Sequence, residues 1–331
     1  MKKIYGLQYL RGLAAIGVVT AHATGRYGAP WVPGAAGVDL FFLISGFIMV
    51  LITPAGSSPV RFLLDRFSRV VPLYWLATTV MLLGTWLHLF PRVTLSLKYV
   101  VLSYLFIPAQ APGSQEILPI LPQGWTLNYE ILFYFVLLLL LLLSIRHIVL
   151  VLTAALVAAV TAGVALTPSD PILLTWTSPL LLEFLAGAWV ALCWQRFQFP
   201  KSSVGIILVG AAIVIFLLAP PTEAPQRVIN FGIPALLLLV GTLTFEPLIS
   251  TRLRCRLPIL LGDASYSIYI WHSFVISTTI PVFRVLGLKG SVAVLSAICL
   301  ACGTGILSYY LLERPFLALI RHTRSRGESR I

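Results

Sequence analysis

Long apolar runs separated by short polar segments make up most of this chain. A helix that crosses a membrane needs about 20 apolar residues, and runs of that length recur from end to end. The predicted spans are 5–26, 35–53, 70–90, 124–144, 147–167, 172–195, 203–219, 229–247, 260–283 and 291–319. The pattern therefore predicts an all-α fold, a polytopic bundle of about ten transmembrane helices that forms a single domain over residues 1–331.

One further apolar run, residues 97–108, is too short to cross a bilayer. It lies inside the long segment 91–123 between two predicted spans. We therefore expect it to be an interfacial or re-entrant piece of an outer loop.

Composition agrees with an integral membrane protein. The 331 residues are 59% hydrophobic and 10% charged, whereas soluble domains are about 45–50% apolar and about 25% charged. The net charge is +12. The basic residues lie between the apolar runs and are not gathered on one face, which favours membrane orientation over nucleic-acid binding as their role.

The basic residues also predict the orientation of the chain. With the amino terminus inside, fifteen Lys and Arg fall on the cytoplasmic side and six on the other. Both termini are then cytoplasmic, with a basic tail at 320–331, in a multi-pass protein of the inner membrane. The first run also resembles a signal peptide ending at Ala21-His22-Ala23, but Arg11 divides its apolar region and favours a retained helix.

Two ionisable residues lie within the first predicted span. Arg11 and His22 are eleven positions apart, so on a helix their side chains are about 20° apart around the axis and about 16 Å apart along it. They share one stripe, with Arg11 nearer the cytoplasm and His22 near the outer face. Ionisable groups at membrane depth are costly and seldom face lipid, so this stripe predicts a polar pathway or site.

Two carboxylates are predicted at a depth similar to that of His22. Asp39 opens the second span and Glu130 lies near the outer end of the fourth. Asp39 also fits a helix cap, Glu130 a structural ion pair, and a single His a satisfied interior residue. Three such residues on separate spans favour a functional site in the outer leaflet.

Arg66 and Arg69 precede the third span in DRFSRVVPLYW. Arg residues three positions apart share a helix face and can bind phosphates through paired N–H donors. Cytoplasmic arginines are also expected from orientation alone. Arg11 could continue an anion path from this pair into the bundle.

The ninth span is unusually polar. Ser265, Tyr269 and His272 are spaced to share one helix face. They would either line a cavity or hydrogen-bond to another helix. The four cysteines show no metal-ligand spacing, so no metal is predicted.

Six of these stretches resemble the acyltransferase-3 family of integral membrane acyltransferases, notably its exopolysaccharide O-acetylating branch. They occur in family order between residues 7 and 316, which is essentially the whole chain. The stretches are LRGLAAIGVVTAHA, DLFFLISGFIM, DRFSRVVPLYW, GWTLNYEILFY, SYSIYIWHSF and LLERPF.

The resemblance implies a single transmembrane acyltransferase domain that moves an acyl group, usually acetyl, onto a hydroxyl of an envelope or exported glycan or a lipid-linked sugar. The donor would be acetyl-CoA from the cytoplasm, and a polysaccharide-export complex is a further expected partner. His22 matches the family's catalytic histidine with Arg11 as its motif partner, and Arg66 and Arg69 match its Arg-x-x-Arg. Many members carry a Glu pair where Glu130 is here followed by Ile131.

Ester formation requires the attacking hydroxyl to lose its proton, and a neutral imidazole suits that task at neutral pH. His22 is therefore predicted as general base, with Glu130 or Asp39 orienting it; a covalent acyl-histidine is a variant. The predicted substrate-binding residues, three of which could also steady the oxyanion, are Trp125, Tyr129 and Ser265, with Tyr269 and His272.

Two other functions fit a multi-span bundle with interior polar residues. One is a carrier or flippase for a lipid-linked sugar, and the other is a scaffold of a polysaccharide-export complex. No paired Gly- or Pro-broken helices mark inverted halves, which disfavours the carrier. Turnover of a labelled acyl donor would separate the enzyme from both.

Overall fold

The structure is a computed structural model that describes residues 3–26, 28, 33–54, 56–87, 94–145, 147–197, 202–220 and 226–320. Within these ranges the fold is helical, and strand pairing is limited to one isolated bridge between Gln110 and Ile117. The α-helices in chain order are α1 (Tyr5–Arg26), α2 (Gly37–Ile52), α3 (Pro59–Trp86), α4 (Leu97–Tyr104), α5 (Trp125–Leu142), α6 (Ile148–Leu166), α7 (Pro171–Trp176), α8 (Leu181–Arg196), α9 (Ser202–Leu218), α10 (Ile233–Thr244), α11 (Glu246–Thr251), α12 (Arg256–Asp263), α13 (Ser265–Val285) and α14 (Gly290–Ser308).

Seven helical segments of the described chain are long and apolar enough to cross a membrane. They are Pro33–Ile52, Pro59–Trp86, Pro122–Leu142, Ile148–Leu166, Pro171–Arg196, Ser265–Val285 and Gly290–Ile320. Two more, Ser202–Leu218 and Val228–Thr244, are apolar but shorter. The predicted all-α, multi-pass membrane fold is confirmed, while the number ten and the cytoplasmic placement of the termini stay predictions.

Helix α1 lies outside that set of seven although its 22 residues make it about 33 Å long. The reason is its polar content, which includes Gln8, Arg11 and His22. A helix of this kind requires neighbours that satisfy its polar side chains.

Some predicted boundaries differ from the observed ones. Helix α3 begins at Pro59, well before the predicted start at residue 70, because Ser58 caps it and Pro59 occupies a first-turn position. Arg66 and Arg69 are thus part of the helix. The predicted span 172–195 is divided into α7 and α8, and 260–283 is divided between α12 and α13. The run 97–108 contains only the short helix α4, as its length predicted.

The chain forms two compact units. The first contains the described parts of Met1–Pro54 and Pro179–Leu307, and the second those of Ala55–Ser178 and Ser308–Ile331. The single domain over 1–331 remains a prediction, and most of the predicted basic tail at 320–331 lies outside the described residues.

The core of the first unit is formed where α1, α2, α8 and α10 meet. Helices α2 and α8 approach backbone to backbone through two glycines. A Cβ atom added to Gly46 would collide with the carbonyl oxygen of Phe184, and one added to Gly187 would collide with that of Leu43. The buried side chains of this core are Leu7, Leu10, Ala14, Leu40, Leu43, Ile44, Phe47, Ala191, Ala235, Leu239 and Leu243.

In the second unit, α3 packs against α4 and α5 around two buried tyrosines. Tyr74 donates a hydrogen bond of 2.9 Å from its hydroxyl to the carbonyl oxygen of Ser103. Tyr134 packs edge to face against Phe62, with ring centroids 6.2 Å apart. Both tyrosines are almost completely buried, so α3 and α5 are held in a fixed register.

Candidate functional site

The most informative contact in the first unit joins two histidines, His22 on α1 and His272 on α13. Nδ1 of His22 lies 2.6 Å from Nε2 of His272. The two side chains differ in solvent exposure: His272 is 0% exposed, whereas His22 is exposed. We call these two residues the histidine pair: one ring is fixed in the interior, and the other can be reached from outside the protein.

A second contact joins the same two helices. Nη2 of Arg11 donates to Oγ of Ser265 over 2.9 Å, and the Arg11 side chain also approaches Gln8 at 3.5 Å. Arg11 is 8% exposed and Ser265 is 0% exposed. The predicted shared stripe of Arg11 and His22 is confirmed, since both side chains contact α13.

The two contacts also decide between the alternatives for α13. Ser265 and His272 hydrogen-bond to α1, as expected for residues that bond across helices. Position increases along both helices from the first contact to the second, so α1 and α13 run in the same direction.

Tyr269, the third residue predicted on this face, is 7% exposed. Its ring packs edge to face against Phe41 of α2, with centroids 5.9 Å apart. Its carbonyl oxygen lies 2.6 Å from Nδ1 of His272. The backbone of Tyr269 therefore contacts the histidine pair directly.

Asp39 is fully buried in the first turn of α2 and forms an ion pair with Arg227. The Nη2–Oδ2 distance is 2.6 Å, and Nε of Arg227 donates to Oδ1 over 3.0 Å. Arg227 also donates to the carbonyl oxygen of Ala35. In the described part of the chain no hydrogen bond joins Asp39 to His22, so the carboxylate is oriented by the guanidinium.

A second carboxylate belongs to this cluster. Glu183 on α8 is 2% exposed and lies close enough to Asp39 and Arg227 to interact with both electrostatically. Its carboxyl group lies within hydrogen-bond reach of the Asp39 carboxyl, and no N–H or O–H donor of the described chain bonds to either of its oxygens. One guanidinium thus stands beside two buried carboxyl groups.

In the second unit, Glu130 accepts a hydrogen bond of 2.5 Å from the hydroxyl of Tyr134, one turn further along α5. Arg66 of α3 lies within electrostatic range of Glu130, Tyr134 and Arg69. Nε of Arg66 is buried and makes no hydrogen bond to a described residue. A partly buried guanidinium with a donor to spare can bind an anion.

Trp125 and Tyr129 are neighbours on the first turns of α5. Their rings meet edge to face with centroids 5.9 Å apart, and both side chains are half-buried. They begin the helix that carries Glu130.

Three partners of the predicted site residues were not predicted from the sequence: Arg227, Glu183 and Tyr134. For two of them, Arg227 and Glu183, the sequence contains a feature that could have identified them. A buried aspartate requires a cation, and Arg227 is among the few basic residues predicted on the outer side with Asp39. Glu183 is a single carboxylate in the apolar stretch LLEFLAG.

No group of three His, Cys, Asp or Glu side chains is arranged to hold a metal ion among the residues that the structure describes.

The chain is similar to known proteins over most of its length. The family model described as an acyltransferase domain, Acyl_transf_3, matches residues 4–313, a range that includes parts of both units. The chain is 41% identical over 306 residues to the exopolysaccharide production protein ExoZ of Rhizobium meliloti (strain 1021), covering 92% of this chain and 95% of that protein.

Two more distant relatives are similar over most of their lengths. BcsY of Komagataeibacter xylinus, described as a membrane-bound transacylase, is 29% identical over 93% of this chain and 81% of its own. ORF330 of Acidianus two-tailed virus, described as an acetyltransferase, is 26% identical over 82% of this chain and 84% of its own. No solved structure matches the chain.

Proposed function

The chain belongs to the acyltransferase family whose model matches residues 4–313, and we propose that it transfers an acetyl group from acetyl-CoA to a hydroxyl of an exported polysaccharide or of its lipid-linked sugar precursor. The family and the relatives make it a membrane acyltransferase of the O-acetyltransferase type. The proposal adds the donor, the acceptor and the residues that act on them. Family membership does not favour the carrier or the scaffold.

The acceptor class is supported by the similarity to ExoZ, whose name connects it with exopolysaccharide production. A polysaccharide offers hydroxyl groups as nucleophiles, and acyl transfer to a hydroxyl gives an ester. A cytoplasmic donor and an acceptor on the outer side fit a location in the inner membrane. The excess of Lys and Arg in the segments assigned to the inner side supports cytoplasmic termini.

The main support for the proposal is the exposure of the His22 side chain and the hydrogen bonding of its two ring nitrogens. Its side chain is exposed, its Nδ1 is held by His272, and its Nε2 has no hydrogen bond to any residue in the described part of the chain. A ring that is oriented through one nitrogen and open at the other is the arrangement that a general base requires. His22 is therefore proposed as the base.

One proton is moved in two steps, from the acceptor hydroxyl to His22 and from His22 to the CoA thiolate. The acceptor oxygen attacks the thioester carbonyl as its proton passes to Nε2 of His22, and the C–O bond forms. The tetrahedral intermediate then collapses with loss of the C–S bond. The CoA thiolate leaves and takes up the proton from the imidazolium, which regenerates neutral His22 and gives the acetyl ester and CoA-SH. The donor to the oxyanion stays unassigned. Ser265, one of the candidates from the sequence, hydrogen-bonds to Arg11 and lies seven positions before His272, about 10 Å along α13.

Arg66 and Arg69 are proposed to bind the phosphates of the donor. Both are half-buried on α3, and the buried Nε of Arg66 has no partner in the described chain. Two guanidinium groups one turn apart suit a diphosphate, because each presents paired N–H donors. Arg11 is proposed to contribute a further positive charge along the donor path.

The test is transfer of radiolabelled acetyl from acetyl-CoA to polysaccharide or lipid-linked oligosaccharide by the purified protein in lipid nanodiscs. His22→Gln should reduce the rate at least about 100-fold, within the usual contribution of a general base. His147→Gln is the matched control, because His147 is an exposed histidine before α6, and it should leave the rate unchanged. Full activity of His22→Gln at normal expression would contradict the base assignment.

In cells, deletion of the gene should remove ester-linked acetyl groups from the exported glycan, as read by mass spectrometry before and after mild alkaline treatment. The wild-type gene should restore these groups and the His22→Gln gene should not. Loss of the polysaccharide itself from the cell surface, with its acetylation intact, would instead favour a role in transport.

A further inference from the structure

The relative orientation of the two imidazole rings identifies the contact between them. The rings of His22 and His272 are parallel to within 4°, with centroids 4.8 Å apart, while the nearest nitrogens are only 2.6 Å apart. Rings stacked face to face would have centroids about as close as their nearest atoms. These rings lie edge to edge in a common plane, which is the geometry of an N–H···N hydrogen bond.

The protonation of the inner ring follows from its other contact. Nδ1 of His272 lies 2.6 Å from the carbonyl oxygen of Tyr269, and a carbonyl oxygen can only accept. Nδ1 of His272 therefore carries a hydrogen. His272 is 0% exposed and has no carboxylate partner among the described residues, so the cost of burying an unpaired charge keeps it neutral. Its Nε2 is then an acceptor.

The protonation of the outer ring follows in turn. Because Nε2 of His272 accepts, Nδ1 of His22 must donate, and a neutral His22 then has no hydrogen on Nε2. We propose that His272 is a positioning residue that holds His22 in the tautomer with hydrogen on Nδ1 and a lone pair on Nε2. This inference rests on the proposed function, in which Nε2 of His22 takes the proton of the acceptor hydroxyl.

The same contact acts during the reaction. When Nε2 takes up the proton, His22 becomes an imidazolium, and a hydrogen bond from a charged donor is stronger than one from a neutral donor. The bond from Nδ1 of His22 to Nε2 of His272 therefore stabilises the charged form more than the neutral one. The carbonyl oxygen of Tyr269 holds the His272 ring in place. Oγ of Ser273 also lies 3.3 Å from Nε2 of His272. No proton has to leave His22 through His272.

The role assigned to His272 differs from direct substrate binding. The side chain is fully buried and acts on the acceptor hydroxyl only through His22. Its replacement should therefore lower kcat and leave the KM for acetyl-CoA almost unchanged. A residue that bound a substrate would instead change KM.

Two variants of similar size separate the hydrogen bond from the packing. In His272→Gln the side-chain amide oxygen can occupy the region of the imidazole Nε2 and accept from Nδ1 of His22. In His272→Leu no acceptor remains. We expect His272→Leu to lower kcat about 100-fold, with the KM for acetyl-CoA within about twofold of wild type, and His272→Gln to recover at least about tenfold of that loss. Rates are normalised to folded protein by gel filtration.

A double variant separates this inference from the proposed function. If His272 acts through His22, then His22→Gln combined with His272→Leu should be no slower than His22→Gln alone. An active His22→Gln protein would overturn the base assignment itself. An inactive His22→Gln protein together with a His272→Leu protein of wild-type kcat would overturn only the role of His272.

A spectroscopic measurement on the unaltered protein covers the case in which His272→Leu does not fold. Histidine is labelled with 15N, and the His22 signals are assigned by their absence from His22→Gln. The inference predicts a protonated Nδ1 and an unprotonated Nε2 for His22, and a protonated Nδ1 for His272. The opposite tautomer of His22 would overturn it whatever the variants do.

Discussion

Arg227 and Asp39 form a buried ion pair in which a 2.6 Å hydrogen bond joins the start of α2 to the helical residue that precedes the π-helical segment Val228–Gly232. The side chain of Asp39 is 0% exposed and that of Arg227 is 16% exposed. Glu183 stands beside them without a cation of its own in the described chain. The Arg227 guanidinium is therefore the cation for two buried carboxyl groups. Replacement of Arg227 and replacement of Asp39 should for this reason have different effects on stability.

Arg227→Met should be the most damaging single substitution in this cluster. It leaves Asp39 and Glu183 buried with no cation, whereas Asp39→Asn leaves Arg227 close to Glu183. Removal of one partner of a buried pair costs about 3–5 kcal/mol, so we expect a loss of that size for Arg227→Met and a smaller one for Asp39→Asn. Equilibrium unfolding of the purified protein in detergent measures both.

The control for that series is Arg254→Met. Arg254 is exposed and lies over the ring of Tyr5 at 4.3 Å, a contact worth about 0.5–1 kcal/mol at the surface. Equal losses of unfolding free energy for Arg227→Met and Arg254→Met would show that the buried ion pair stabilises the protein no more than a surface contact does.

Arg66→Lys should raise the KM for acetyl-CoA about tenfold and leave kcat within about twofold. Lys keeps the charge but lacks the planar pair of donors that grips a phosphate. Initial rates at varied acetyl-CoA concentration give both constants. Arg61→Lys, an exposed arginine on the first turn of the same helix, is the control. An unaltered KM for Arg66→Lys would leave the arginine with a role in membrane orientation only.

Tyr134→Phe should destabilise the second unit by about 1.5–3 kcal/mol, because it removes the hydroxyl that donates to Glu130 over 2.5 Å and hydrogen bonds to charged groups fall in that range. A double-mutant cycle with Glu130→Gln, followed by thermal unfolding, isolates the pair. Strictly additive losses would mean that the tyrosine hydroxyl stabilises the protein through some other partner.

Gly46→Ala should cost about 1–3 kcal/mol, the usual penalty for overpacking. The new methyl group would meet the carbonyl oxygen of Phe184, which α8 cannot move without separating from α2. Gly210→Ala is the matched control, since no atom lies within 4 Å of a Cβ at that helical position. It should be neutral or stabilise by up to about 1 kcal/mol. The melting temperature should therefore fall for Gly46→Ala and stay the same or rise for Gly210→Ala. Equal melting temperatures would contradict the close approach of α2 and α8.

The sequence was most informative for features that a periodic pattern determines, namely the positions of the helices and the residues that share one helix face. The apolar runs located the helices, and the eleven-residue spacing of Arg11 and His22 placed both on the face that meets α13. The start of α3 was missed because its first turns are polar, and hydropathy does not report a helix that extends beyond its apolar part. The cap at Ser58 and Pro59 at the first turn were the local signals for it.

Pairing between distant segments was not predictable in the same way. Nothing in the spacing of the ninth span specifies that His272 faces His22, and Asp39 was considered as a helper of His22 although its carboxylate binds Arg227. Periodicity determines which residues share a face of one helix. Which two faces meet depends on the packing of all the helices, and that includes the close approach at Gly46 and Gly187.

The partners of α1 are among the last parts of the chain to be made. Ser265 and His272 follow Arg11 and His22 by 254 and 250 positions, and a ribosome releases the N-terminal helix long before α13. As the first of the predicted spans, α1 would carry a cation and an imidazole into the bilayer before the groups that contact them in the folded chain are made. A chain truncated before residue 265 would lack the contacts that Arg11 and His22 make with α13, so its first helix would keep two ionisable side chains without these partners.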